Sequence, residues 1–197
     1  MRNFNKELKS ASNLFFVIAL VLVGILSSCS ENKEVSKYDN WKERNESFID
    51  SLATIVENGT DTSIKKLVPI SSDTRYSVYY KVKESGATTD EDGAAIVSPY
   101  YTSKVSVFYY GTLINGDYFD GNFFDVDPNV KFETPANFYV YNLISGWTEV
   151  LQQMVPGDRW TIYIPYQLAY GTSGSSTTIP GYSTLIFDIK LVEVTDY

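Results

Sequence analysis

The chain has 197 residues but no histidine, a single cysteine (Cys29), seven prolines and two methionines. Without histidine, Ser-His-Asp and Cys-His hydrolytic arrangements, imidazole-ligated zinc and imidazole general bases are excluded. One cysteine leaves no intramolecular disulfide to form. Neither standard Gly-rich phosphate loop occurs, so kinase and dehydrogenase readings weaken with the hydrolases. Basic residues are also few. Sixteen Lys and Arg stand against 24 Asp and Glu, a net charge of −8, and the clustered positive charge that binds nucleic acid is missing. The acidity serves solubility. Metal and cofactor requirements are expected to be none.

Long apolar runs are limited to one, Leu14 to Leu26. It is shorter than the ~20 residues of a membrane span. Arg2, Lys6 and Lys9 precede it and Leu26-Ser27-Ser28-Cys29 follows, the order of a secretory signal. The tetrad resembles the bacterial lipoprotein box, which implies cleavage before Cys29, lipidation of its sulfur, and tethering to the bacterial cell envelope. Ser30 after the cysteine favours the outer membrane. Removing residues 1–28 takes away three basic groups and Glu7, leaving 13 basic and 23 acidic residues and a net charge of −10.

The apolar content is 44% and the aromatic content 15%, with 16 tyrosines. That composition suits pleated surfaces, where aromatic and β-branched side chains pack well. Ser30 to Lys37 is polar and aperiodic, a tether. Asp39 or Asn40 caps a predicted helix that runs to Glu57 and stops at Asn58-Gly59. Trp41, Phe48, Ile49, Leu52, Ile55 and Val56 share one helical stripe, suited to packing on the main domain or to pairing two copies as a homodimer. Asn45-Glu46-Ser47 and Asn58-Gly59-Thr60 match a glycosylation pattern and are read as chance.

Strands are predicted at Arg75–Lys83, Lys104–Tyr110, Ala136–Tyr141, Arg159–Ile164 and Thr184–Val194, with a loop over Glu84–Ser98 and an Asn115-Gly116 turn. A single helix lies among them. Trp147, Val150, Leu151 and Met154 fall at i, i+3, i+4 and i+7, and Pro156-Gly157 ends it. A helix laid across one face of an antiparallel sheet leaves an apolar cavity where the two diverge, with Trp147 on its floor.

The segments Val105-Ser106-Val107-Phe108-Tyr109-Tyr110-Gly111 through Leu113, Gly116 and Phe119-Asp120, then Leu143-Ile144-Ser145-Gly146-Trp147, Pro165 through Leu168-Ala169-Tyr170-Gly171, and Ile179-Pro180 through Leu185 and Phe187 resemble the FKBP-type peptidyl-prolyl cis/trans isomerases. The likeness covers roughly residues 75–195. It implies an α+β fold, a twisted antiparallel sheet of five or six strands wrapped around one short helix and preceded by an N-terminal helix. The implied organisation is a signal over 1–28, a tether over 29–37, a helical extension over 38–74 and an isomerase domain over 75–197. The implied substrates are proline-containing polypeptides.

The resemblance also implies roles. Tyr109, Phe119, Leu143, Ile144, Trp147 and Phe187 line a proline pocket with Trp147 as floor. Tyr170 directs its phenol at the substrate carbonyl, Asp120 sits at the rim to orient the peptide or Tyr109, and Ile144 offers its backbone N–H. Two departures stand out. Ala136 occupies a position often aromatic in the family, and Gly121–Pro135 differs from the usual Ser-rich stretch. Either Phe123, Phe124 or Phe132 refills that wall, or the pocket is wider. The Thr/Ser/Gly loop Thr172–Thr178 is expected to be mobile. A peptide-binding module without turnover remains an alternative, and a purely structural lipoprotein predicts a pocket filled by its own side chains.

Overall fold

A computed structural model describes residues 36–124 and 133–196. The expected signal, Cys29, most of the tether and Phe132 lie outside the described residues. The chain divides into two compact units, Met1–Asp39 and Asn40–Tyr197, and the following concerns the second.

Helix α1 spans Trp41–Asn58. Asn40 stands at its N-cap in left-handed backbone (φ 53°), and its side chain makes no capping hydrogen bond. The other end stops as the sequence requires. Gly59 adopts φ 63°, and the N–H groups of Gly59 and Thr60 bond back to Val56 and Ile55 carbonyls at 3.2 and 3.1 Å, the pairing that closes a helix on a left-handed glycine. Trp41 and Leu52 of the predicted stripe are buried, and Phe48 meets Tyr163 with ring centroids 5.9 Å apart. The stripe therefore packs on its own domain. Asn45 is fully buried as well, which leaves no room for a glycan there.

Among the described residues, seven strands form one antiparallel sheet: β1 (Ile64–Leu67), β2 (Val78–Glu84), β3 (Lys104–Leu113), β4 (Tyr118–Gly121), β5 (Ala136–Tyr139), β6 (Arg159–Ile164) and β7 (Leu185–Asp196). The order is β1-β2-β6-β7-β3-β4, with β5 also paired to β3. The count exceeds the five or six expected because β1 and β4, four residues each, are not among the predicted strands. The predicted strand at Arg75 begins only at Val78, since Asp73 draws Arg75 and Tyr76 into a turn. The strand predicted to reach Tyr141 stops at Tyr139, where a 3₁₀ turn over Val140–Asn142 takes over.

Helix α2 (Ser145–Leu151) lies across the sheet and is buried from Gly146 to Leu151. Gly146 permits this approach, because a Cβ there would collide with the Ile164 side chain. Val105, Val107, Val150, Met154, Ile162, Ile164, Leu185 and Ile189 form the core between helix and sheet. Burying such aliphatic side chains stabilises by about 1.5–3 kcal/mol each. On the sheet, the buried Arg159 guanidinium pairs with Asp188, its Nε and Nη2 each donating at 2.9 Å, and this tie joins β6 to β7.

β3 carries β7 along one edge and both short strands along the other, β5 against Lys104–Val107 and β4 against Tyr110–Thr112. The gap between β5 and β4 is filled by the side chain of Asn122. Its Oδ1 accepts from the Tyr109 N–H at 2.8 Å, and its Nδ2 donates to the carbonyls of Val107 and Thr134 at 3.0 and 3.2 Å. A single amide thus replaces ladder hydrogen bonds that β3 would otherwise lack.

Candidate functional site

Seven of the predicted residues come together around one cavity of about 240 Å³. Tyr109 arrives from β3, Asp120 from β4, Leu143 and Ile144 from the entry to α2, Trp147 from its first turn, Phe187 from β7 and Tyr170 from the loop after β6. The indole of Trp147 is the floor. Tyr109, Phe187 and Phe138 stand almost perpendicular to it, at interplanar angles of 85°, 88° and 83° and centroid separations of 5.4, 5.1 and 6.2 Å. Edge-to-face contacts of this kind satisfy the ring quadrupoles and hold the walls upright.

The eighth predicted pocket residue, Phe119, does not line the cavity. It packs edge-on against Phe187 with centroids 5.3 Å apart, and so supports that wall from outside. Gly111 makes the arrangement possible, since a Cβ on it would come within 2.7 Å of the Phe119 ring and 2.9 Å of Phe187.

The rim is polar. Tyr109 Oη donates to Asp120 Oδ2 at 3.0 Å, and Asp120 Oδ1 accepts from the Gly121 N–H at 2.9 Å. The carboxylate is therefore fixed at both oxygens. Burial, and next the nearby Asp120 charge, push the Tyr109 phenol well above its usual range. Burial and Asp120 raise Tyr170 in the same order. Both phenols stay protonated at neutral pH and can donate hydrogen bonds. Tyr170 is 41% exposed and stands at the cavity mouth.

The segment after Tyr170 carries backbone hydrogen bonds of its own. Ser175 and Ile179 exchange backbone hydrogen bonds at 2.9 and 3.1 Å, and Tyr182 N–H bonds to Gly171 carbonyl at 3.0 Å. Its far end is tied to α1. Trp41 Nε1 donates to Ser183 Oγ at 2.9 Å, Ser183 Oγ donates to the Pro180 carbonyl, and the Thr184 N–H donates to Asn45 Oδ1 at 2.7 Å.

Phe138 and Asn142 also line the cavity, and neither belongs to the predicted set. Phe138 was within reach of the sequence. The half-buried and exposed residues alternate along Ala136–Tyr139, which puts Phe138 on the pocket side. Asn142 gave no such signal, because its position depends on the 3₁₀ turn. Around the doubtful wall, Phe123 is buried against Tyr110 and the Arg159 guanidinium, and Phe124 is 72% exposed beside Tyr110 and Tyr118. Neither refills the position of Ala136. No cluster of potential metal-ligating side chains occurs among the described residues.

Residues 97–192 match the family of FKBP-type peptidyl-prolyl cis-trans isomerases. This chain carries an FKBP-type domain. The chain is similar to the FKBP-type 22 kDa peptidyl-prolyl cis-trans isomerase of Escherichia coli (strain K12), 41% identical over 96 residues that make up 49% of this chain and 43% of that protein. It is 39% identical to the outer membrane protein MIP of Legionella longbeachae over 103 residues, 52% of this chain and 41% of that one. The fold resembles the crystal structure of a peptidyl-prolyl cis-trans isomerase from Pseudomonas syringae pv. tomato DC3000, with a TM-score of 0.54 and 26% identity, covering 76% of this chain and 95% of that one. The chain spans about half, or less, of the length of the first curated relatives it matches. Helix α1 and strands β1 and β2 lie before the matched stretch, yet α1 ties down the loop that follows Tyr170 in the FKBP-type domain.

Proposed function

We propose that the FKBP-type domain accelerates rotation about X–Pro bonds in exported polypeptides. One observation carries the reading: three rings stand perpendicular on the Trp147 indole and leave between them an open apolar cavity. A pocket of a structural protein would be filled by its own side chains.

Rotation about an amide must cross a barrier of about 18–20 kcal/mol, because the planar form has partial double-bond character. In the twisted transition state that resonance is lost, and with it much of the charge separation that water stabilises. An apolar wall of Tyr109, Phe138, Trp147 and Phe187 therefore disfavours the planar amide more than the twisted one. Tyr170 donates its hydroxyl to the substrate carbonyl, and Ile144 offers its backbone N–H. Asp120 fixes the Tyr109 hydroxyl and orients the peptide at the rim. No nucleophile, proton shuttle or cofactor enters the scheme.

The same reading extends to location. A lipid on Cys29 would hold the domain at the envelope, probed by mass spectrometry of the membrane-extracted chain, and a relative is named as an outer membrane protein. No helix among the described residues is long and apolar enough to cross a membrane. A homodimer through α1 would use residues other than Trp41, Asn45 and Leu52, which are buried within the chain.

The test is cis/trans isomerisation of a short Xaa-Pro peptide by the protein and by its Asp120→Ala and Tyr170→Phe variants. The expected result is catalysis by the unaltered chain and a loss of roughly tenfold in kcat/KM in each variant, the worth of one hydrogen bond at the transition state. A rate equal to the uncatalysed one, with peptide binding retained, would replace the enzyme by a peptide-binding module.

A further inference from the structure

Beside the aromatic box lies a second cavity of about 230 Å³, bordered by Tyr101, Tyr141, Leu143, Ser145 and Glu149 among others. Leu143 lines both cavities. The 3₁₀ turn Val140–Asn142 separates them, with Asn142 facing the box and Tyr141 facing its neighbour. Tyr141 is the middle of a row. Its ring stacks on Tyr139 at 5.3 Å and 26°, and meets Tyr101 at 6.1 Å. Tyr101, Tyr139 and Tyr141 are 52%, 39% and 44% exposed. Single exposed tyrosines are ordinary, but three exposed rings in contact, of which Tyr101 and Tyr141 border this cavity, form a patch of the kind that marks recognition.

The chemistry of this cavity points away from a cation or an anion. Glu149, its charged group, is buried and already accepts from the N–H groups of Ile70 and Ser71 at 3.0 and 2.9 Å and from the hydroxyls of Ser71 and Ser72 at 2.6 and 3.1 Å. What remains toward the opening is the Ser145 hydroxyl and the tyrosine ring faces, groups that suit peptide amides and an aromatic side chain.

We propose that the row Tyr101–Tyr141–Tyr139 is a second subsite for the same polypeptide, and takes an aromatic side chain that flanks the proline held over Trp147. The proposal rests on the isomerase reading of the box, and commits to one continuous chain crossing Leu143. Both cavities have Leu143 in their lining, so a short extended stretch of peptide, at about 3.4 Å per residue, bridges them. Acidic net charge, −8 for the chain, argues against an anionic membrane surface as the occupant.

The test uses the full chain and three peptides: a capped tetrapeptide with one X–Pro bond, a decapeptide with tryptophan two to four residues from the proline, and the same decapeptide with alanine in its place. The expected result is a kcat/KM for the tryptophan peptide roughly three- to tenfold above the alanine peptide, the worth of an aromatic contact, carried in KM rather than kcat. Tyr141→Ala and, independently, Tyr101→Ala should remove that ratio, and Tyr141→Phe should keep it. Turnover of all three peptides with no tryptophan advantage overturns the subsite and leaves the isomerase reading intact. If no peptide is turned over, the isomerase reading fails, and the subsite is judged by titrating both decapeptides. Equal affinities, or a preference untouched by Tyr141→Ala, overturn it. Binding to anionic vesicles that Tyr141→Ala abolishes, with peptide preference unaltered, would assign the row to a membrane instead.

Discussion

Asn45 on α1 accepts a hydrogen bond from the Thr184 N–H at 2.7 Å, where the loop after Tyr170 enters β7. The same amide donates to the Trp41 carbonyl at 2.7 Å, and both Asn45 and Thr184 are buried. Asn45→Ala would leave the Thr184 N–H without an acceptor inside the protein. The expected loss is about 1–3 kcal/mol, read from the midpoint of a urea titration. Because Ser183 and Thr184 anchor that loop, the variant should also reduce peptide isomerisation in conditions where it is still folded.

Gly111→Ala tests the packing behind the pocket. The added methyl would press on the rings of Phe119 and Phe187 at once, and overpacking of a tight site costs about 1–3 kcal/mol. Phe187 is expected to tilt into the cavity, so KM for a proline peptide should rise even in the folded fraction. An unchanged KM would separate Phe187 from the binding wall.

Glu149 joins acid stability to the loop over residues 70–72. Burial pushes its carboxyl up, but the donors from Ile70, Ser71 and Ser72 together outweigh burial and hold it below the ordinary value of 4.5. A depressed carboxylate stabilises the fold above its unfolded value, and that stabilisation is lost as pH falls below about 4.5. Glu149→Gln should lower stability at pH 7 by about 1–3 kcal/mol and flatten the acid limb of the stability profile. Chemical denaturation at a series of pH values checks both.

Tyr109 and Tyr170 both have phenols raised above the ordinary 10.0. Their contribution to stability is fully present below pH 10 and is lost as pH rises through the higher values of the folded state. Tyr109→Phe should therefore soften the loss of stability above about pH 10. Isomerisation should be flat between about pH 6 and 9, since the proposed scheme contains no group that titrates there. A bell-shaped profile in that range would contradict it.

Much of the pocket was legible because its residues sit in short motifs that resemble those of the FKBP-type isomerases. Gly111 and Gly146 are in those motifs for a reason visible only in three dimensions, the close approach of Phe119 with Phe187 and of Ile164. Phe119 itself could not be separated from the pocket lining by spacing, since a residue one ring behind a wall and a residue in the wall share the same strand alternation. Strands β1 and β4 escaped notice because Ile64-Lys65-Lys66-Leu67 does not alternate and Tyr118–Gly121 follows closely on the Asn115-Gly116 turn; their pairing is supplied by β2 and β3.

By itself the sequence determined the chemistry that is excluded, the β-rich class and the short helix under Trp147, which follow from residue type and local period acting over a few neighbours. The set of aromatics expected to meet there came from the resemblance of its motifs to the FKBP-type isomerases. Only the tertiary structure decided that α1 clamps the loop after Tyr170, that Asn122 bridges the gap between β5 and β4, and that Tyr101 joins Tyr141 in one row. Each of these depends on contacts between residues distant in sequence, and no local preference of either partner encodes where the other will lie.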